Sequence, residues 1–128
     1  NVYPVHMYYS FKFKNSMFIV LRVNSDYYDL MTCNHCATNP GDYDDYYYKH
    51  QLDWMRYVLA QANADTTVDN IFVFLHAPLV TSGDSHGPNT SWPVLLKDFS
   101  KYNNKMKIVF SGHNHAYERS YRVFTSDA

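Results

Sequence analysis

Short apolar runs, separated by polar turns, divide this chain into segments with the pattern of strands and segments with the pattern of helices. Residues 8–14 alternate aromatic and polar positions and residues 17–21 are continuously apolar, which predicts a β-hairpin. A third apolar run, residues 71–75, shows no alternation. That pattern indicates a strand covered on both faces and favours a layered α/β core. Two further strands are expected, at residues 107–111 and near residues 121–124.

Helical spacing is clearest in one segment, where apolar positions recur at Leu52, Met55, Leu59 and Ala62. The spacing predicts an amphipathic helix over about residues 47–64. A second helix is predicted from Ser91, whose hydroxyl can cap it, to about residue 102. Residues 24–48 are rich in Asn, Asp and Tyr and are assigned no element.

Histidines directly follow two of the predicted strands. His76 comes after residues 71–75, and His113 and His115 come after residues 107–111. In extended backbone, residues i and i+2 point the same way and lie roughly 7 Å apart, so His113 and His115 would reach neighbouring atoms in one pocket. Neutral imidazole is a good ligand for zinc, iron and similar metals. The two strand ends therefore predict a metal site.

Three short motifs carry these histidines and their neighbours: Val73-Phe74-Leu75-His76, Gly112-His113-Asn114-His115 and Ala116-Tyr117-Glu118-Arg119. The first two match VxxH and GHxH. In this order, and with Gln51-Leu52-Asp53-Trp54 opening a helix upstream, they resemble the purple acid phosphatase branch of the calcineurin-like metallophosphoesterases. The resemblance runs from about residue 8 to residue 122, which is nearly the whole chain.

The resemblance implies that residues 1–128 are the C-terminal half of a four-layer α/β/β/α sandwich. The family's earlier motifs, DxG, GDxxY and GNH(D/E), do not occur in their expected place ahead of residue 9. The chain is therefore expected to need an N-terminal half that carries the remaining metal ligands, including the carboxylates that offset the metal charge. Alone, it is expected to hold metal weakly and to show no phosphatase turnover.

The chemistry implied by the resemblance is hydrolysis of small phosphate monoesters by a hydroxide held between two metal ions, iron with zinc, manganese or a second iron. In that family, the residues matching His76 and His113 bind one metal, and the one matching His115 binds the other. His86 matches, in spacing, a loop histidine that donates a proton to the leaving alcohol. The ordinary pKa of histidine suits such a general acid at mildly acidic pH.

Other interpretations of the residues remain open. A non-catalytic homologue could serve as a structural or interaction subunit, and a phosphodiesterase or nucleotidase of the same fold fits the same motifs. Cys33 and Cys36 could belong to a small zinc module, a disulfide or two inert thiols. Glu118 is expected to orient an imidazole or to pair with Arg119 rather than to bind metal.

Composition narrows the classes of partner. A length of 128 residues is long enough for a core, and a mean hydropathy of −0.44 is typical of a globular protein. The net charge of −1 gives no basic surface for nucleic acid. Apolar runs reach only about seven residues, far short of the roughly 20 that span a bilayer. The glycosylation sequon Asn89-Thr90-Ser91 favours a secreted or lysosomal/vacuolar glycoprotein.

Overall fold

The structure is a computed structural model that describes residues 8–22, 43–82, 93–102 and 104–121. In chain order, its elements are β1 (Tyr9–Phe13), β2 (Ser16–Val20), α1 (Tyr43–Ala64), β3 (Asn70–Phe74), α2 (Pro93–Ser100) and β4 (Met106–Phe110). The mixed α/β class agrees with the sequence-based prediction. None of the helices in these ranges combines the length and the apolar character needed to cross a membrane.

The four strands form one sheet in the order β1-β2-β3-β4. The hairpin pairs β1 with β2 antiparallel, in a register that places Phe11 opposite Phe18. β2, β3 and β4 are parallel, and the connections between them contain α1 and α2. Because parallel strands end at the same edge of a sheet, the residues that follow β3 and β4 emerge side by side.

One face of the sheet packs under the two helices and forms the core. Ile19 of β2 pairs in register with Val73 of β3, and both side chains are fully buried. Burying such a side chain contributes about 1.5–3 kcal/mol. The same cluster takes Met55 and Leu59 from α1 and Phe99 from α2. The helical residues predicted from spacing are therefore the ones that cover this face.

The opposite face of the sheet is lined by aromatic side chains from all four strands. We call this the aromatic face; it comprises Tyr9, Phe11, Phe13, Phe18, Phe72, Phe74, Ile108 and Phe110. Ring centroids lie 5.0 Å apart between Phe11 and Phe18 and 4.9 Å apart between Phe74 and Phe110. Phe11 is 49% exposed and Phe110 is 44% exposed. Within the described residues, nothing packs over this face as the helices do over the other.

Burial in β3 alternates, which differs from the prediction of a strand covered on both faces. Ile71 and Val73 are fully buried, whereas Phe72 and Phe74 are only partly buried. The alternation follows from the pleat of the strand, which turns successive side chains to opposite faces. The apolar run on its own could not reveal this, because the residues on both faces are large and apolar.

Most predicted boundaries lie close to the observed ones, and α1 is the main exception. It begins at Tyr43, four residues before the predicted start at residue 47. Asp44 and Asp45 fall in its first turn, where negative charge favours a helix. Tyr121 is not in a strand, and the rest of the predicted strand near residues 121–124 lies outside the described residues.

Candidate metal centre

The segments that carry the histidines leave the sheet from two adjacent parallel strands. The backbone ladder continues past both strand ends, since the Leu75 amide donates to the Phe110 carbonyl at 3.0 Å. The Gly112 amide then donates to the His76 carbonyl, also at 3.0 Å. These two bonds fix the start of one segment against the start of the other, next to the positions of His76 and His113.

The imidazoles of His76 and His113 face each other across the two segments. His76 Nε2 lies 3.1 Å from His113 Nδ1, and the rings meet edge to face at an interplanar angle of 76°. Two nitrogens that each lie about 2.0–2.1 Å from one metal ion are roughly 2.8–3.4 Å apart at coordination angles of about 90–109°. The observed separation therefore suits two ligands of one ion, and it equally suits a hydrogen bond from one ring to the other.

His115 occupies a different environment from the pair. Its side chain is exposed, and its backbone φ is 49°, with a φ of 71° at His113. Both values are in the left-handed region, so the prediction of extended backbone here is wrong and the same-side argument for these two histidines does not apply. The residues that the structure describes contain no group of three or more His, Cys, Asp or Glu placed to hold a metal ion.

Among the described residues, Glu118 hydrogen-bonds to the segment after β3 rather than to Arg119 or an imidazole. Its carboxylate accepts hydrogen bonds from the Thr81 hydroxyl at 2.7 Å and from the Ser82 hydroxyl and amide, both at 2.6 Å. The hydroxyl of Ser82, followed by that of Thr81 and the Ser82 amide, holds the pKa of Glu118 below its usual value. Three donors occupy most of the lone pairs of this carboxylate. It is therefore suited to holding the two segments together and not to binding a metal ion.

Asn114 joins the same network from between the two histidines. Its Nδ2 donates to the Thr81 hydroxyl at 2.6 Å, so that one hydroxyl accepts from Asn114 and donates to Glu118. The Oδ1 atom of Asn114 is buried and has no hydrogen-bond partner among the described residues. We call Thr81, Ser82, Asn114 and Glu118 the Glu118 clasp. Thr81 and Ser82 lie in a Gly-, Ser- and Pro-rich loop whose composition gave no signal of this role.

Several predicted sites fall outside the described residues. They include the expected general acid His86, the cysteines Cys33 and Cys36, and the sequon Asn89-Thr90-Ser91. The roles assigned to them stay predictions. Of the predicted metal ligands, the structure brings the rings of His76 and His113 together, and it places His115 at an exposed position two residues farther along the chain.

Comparison with known proteins finds relatives of one kind at modest identity. The chain is 29% identical over 133 residues to purple acid phosphatase 22 of Arabidopsis thaliana, covering 98% of the chain and 30% of that protein. It is 32% identical over 98 residues to purple acid phosphatase 18 of Arabidopsis thaliana, covering 76% of the chain and 22% of that protein.

A third relative carries a substrate in its name. Phosphoenolpyruvate phosphatase of Allium cepa is 37% identical over 78 residues, which are 59% of the chain and 16% of that protein. The chain thus spans less than a third of each of these relatives. No protein-family model matches the sequence, and no solved structure matches it.

Proposed function

The chain is related to the purple acid phosphatases over part of its length, as its motifs predicted, and from this relation we propose that it forms part of a phosphoester hydrolase. The proposed reaction is hydrolysis of phosphate monoesters at mildly acidic pH. The structural observation in its support is the separation of 3.1 Å between His76 Nε2 and His113 Nδ1 at the ends of adjacent parallel strands. The C-terminal edge of such strands is where α/β proteins place their ligands.

In this proposal, His76 and His113 hold one metal ion and His115 holds a second. Imidazole donors suit iron and zinc. Two such ions would polarise a phosphoryl oxygen and supply a nucleophile for the attack on phosphorus. His86, in its charged form, donates a proton to the departing alcohol oxygen.

The remaining ligands must be anionic, since imidazoles are neutral and leave the charge of the metal ions uncompensated. Glu118 is an unsuitable source, because Thr81 and Ser82 already donate three hydrogen bonds to its carboxylate. We therefore place residues 1–128 in the C-terminal part of a larger catalytic domain whose other part supplies carboxylates. A relation to proteins more than three times as long supports this arrangement.

The same larger domain accounts for the aromatic face. Phe11, Phe13 and Ile108 are 49%, 62% and 47% exposed, a degree of exposure that a sheet packed on both sides would not show. Two sheets pack face to face about 10 Å apart with their inner side chains interdigitated. We propose that a second sheet from the rest of the protein covers the aromatic face and completes a four-layer α/β/β/α sandwich.

The test is metal content and hydrolysis of p-nitrophenyl phosphate by the longest natural form of the protein. His76→Ala and His113→Ala should each lose bound metal and turnover, whereas His50→Ala, on α1, should keep both. His86→Asn should keep its metal and lose roughly 10²- to 10⁴-fold in kcat on an alkyl phosphate, whose leaving group needs a proton. On p-nitrophenyl phosphate, which has a good leaving group, the loss should be much smaller.

Two results would contradict the proposal. Unchanged metal content and turnover in His113→Ala would show that His113 is not a metal ligand and that the proposed site is wrong. A wild-type protein that holds no metal and has no activity on any phosphoester would support the non-catalytic interpretation. Faster turnover of bis(p-nitrophenyl) phosphate than of the monoester would instead indicate a phosphodiesterase.

The sequon at Asn89 further leads us to propose a secretory or vacuolar route for the protein.

A further inference from the structure

The two histidine-bearing segments are tied together at two separate places. Close to the sheet, the Gly112 amide donates to the His76 carbonyl. Farther out, the Glu118 clasp joins Thr81 and Ser82, which follow His76, to Asn114 and Glu118, which follow β4. We propose that Glu118 is a positioning residue that acts through Thr81 and Asn114 to keep His76 and His113 at the separation needed to share one metal ion. This inference rests on the proposed function.

The carboxylate sets the direction of the hydrogen bonds in the clasp. A hydroxyl has one proton to donate, and the Thr81 hydroxyl directs it to Glu118 at 2.7 Å. Its lone pairs are then available to Asn114 Nδ2, which donates to it at 2.6 Å. Thr81 is only 5% exposed, so water does not readily replace either partner. A neutral amide at position 118 could offer an N–H instead and reverse this order.

Asn114 is the link from the clasp to the histidines. It lies between His113 and His115, whose φ angles of 71° and 49° are both in the left-handed region. Residues with a Cβ populate that region sparsely and remain there only where the surrounding structure holds them. Asn114 is anchored by its hydrogen bond to Thr81, and this anchor opposes a return of its neighbours to ordinary backbone angles.

Loss of the clasp should therefore act at the imidazole pair. If the backbone at His113 relaxes, His113 Nδ1 moves away from the point 3.1 Å from His76 Nε2. Residues that do not bind a metal ion themselves but orient the ligands that do typically account for roughly 10- to 100-fold in metal affinity. A change of this size is expected when Glu118 loses its charge.

The experiment compares three variants of the protein: Glu118→Gln, Thr81→Val and, as a matched control, Asp65→Asn. Asp65 also accepts from a threonine hydroxyl and amide, those of Thr67, but it precedes β3 and so lies at the opposite end of that strand. The first measurement is the nuclear Overhauser effect between the ring protons of His76 and His113 in metal-free protein. The second is the Kd for Co²⁺, followed by its visible absorption.

The inference expects Glu118→Gln and Thr81→Val to lose the contact between the rings and to bind Co²⁺ roughly 10- to 100-fold more weakly, while Asp65→Asn matches wild type. Retention of the ring contact in both clasp variants would overturn it. Loss of that contact in all three variants would also overturn it, as the effect would then be general destabilisation.

The two readouts separate this inference from the proposed function. A wild-type protein that does not bind Co²⁺ counts against the proposed metal site, yet the ring contact still tests the role of Glu118. Equal Co²⁺ affinity in wild type and Glu118→Gln, with the ring contact kept, counts against the positioning role and leaves the proposed function standing.

Discussion

Asp98 shows how a single charge fixes two helices against each other. The residue is only 4% exposed, and its carboxylate accepts from Arg56 Nε of α1 at 2.8 Å and from Lys101 Nζ at 3.1 Å. A carboxylate withdrawn from water is costly unless it is paired and hydrogen-bonded. The hydrogen bond from Arg56 should therefore stabilise the protein more than an exposed ion pair would, because it gives a buried carboxylate a partner.

Replacing Arg56 should destabilise the protein more than replacing Lys101. We expect Arg56→Met to lower the free energy of unfolding by about 1.5–3 kcal/mol, because hydrogen bonds to charged groups are of that size. Lys101→Met removes the longer contact and should cost about 1 kcal/mol or less. Urea unfolding at neutral pH measures both. Equal losses in the two variants would show that Arg56 has no special role.

Two carboxylates should make stability depend on acid pH. Lys12, followed by Thr67, holds the pKa of Asp65 well below its usual range, and Ser82 and Thr81 lower that of Glu118. A depressed folded-state pKa gives stability that is complete above the ordinary carboxyl range near pH 4 and is lost as the pH falls through the folded-state value. We expect little change between about pH 5 and pH 7, and a decline below about pH 4.

The measurement is urea unfolding of wild type and Asp65→Asn between pH 6 and pH 2.5. The variant lacks one of the titrating groups, so its stability should fall less over this interval than that of wild type. Parallel declines in the two proteins would mean that Asp65 contributes nothing to the acid dependence.

At this scale, the sequence predicted that His76 and His113 meet but not how they are held. His76 and His113 could be placed together because each directly follows an apolar strand. The left-handed backbone at His113 and His115 depends on tertiary contacts, and such contacts produce no periodic pattern in the sequence. The partners of Glu118 were missed for the same reason, as Thr81 and Ser82 belong to a loop without a regular pattern.

At the scale of whole elements, the C-terminal end of α1 is held by a lysine that directly precedes β4. Lys105 Nζ donates to the carbonyls of Ala62, Asn63 and Asp65 at 3.2, 2.7 and 2.9 Å. The last carbonyls of a helix have no partner within it, and the negative end of the helix dipole attracts a cation. No basic residue lies in the last turn of α1 itself, so Lys105 supplies that charge from another part of the fold.

Lys105→Met should therefore lower the free energy of unfolding by about 1–2 kcal/mol. Lys107→Met is the matched control, because Lys107 Nζ donates to one exposed carbonyl, that of Asn104. Thermal unfolding followed by circular dichroism at 222 nm should show the drop in Tm for Lys105→Met alone. A similar Tm for the two variants would contradict the capping role.

Most of the helices and strands could be predicted from the sequence, and the exception is the start of α1. β2 and β3 were located to within a residue because a run of five apolar residues between polar turns is too short for most helices and is typical of a strand. The start of α1 was missed because its first residues belong to the Asn-, Asp- and Tyr-rich stretch of residues 24–48, which was assigned no element. The two aspartates there were the available signal.

At the scale of the whole molecule, the sheet has two unlike faces. The helices cover one, and stacked rings line the other, with Phe18 centred 5.3 Å from Phe72. Exposed apolar patches of this extent generally mark a contact surface. Sequence reasoning could not separate the faces, because Phe72 and Phe74 are as apolar as Ile71 and Val73.

A dye that binds apolar surfaces can test this asymmetry. The 128-residue chain should enhance the fluorescence of ANS in its folded state, and Phe11→Ser should reduce that signal. Tyr57→Ser is the control, since Tyr57 is 64% exposed on α1, away from the aromatic face. A longer form that carries the proposed second sheet should bind little ANS. A 128-residue chain without enhancement would argue against an open aromatic face.

The irregular pairing of β4 has a consequence for how copies of the chain could associate. Ile71 is opposite Met106 and Phe72 is opposite Ile108, so Lys107 is an extra residue on the outermost strand of the described sheet. A bulge with a charged side chain twists a sheet margin and discourages the addition of another strand there. Aggregation of the chain by sheet extension at β4 is thereby hindered, and clustering should proceed through stacked rings instead.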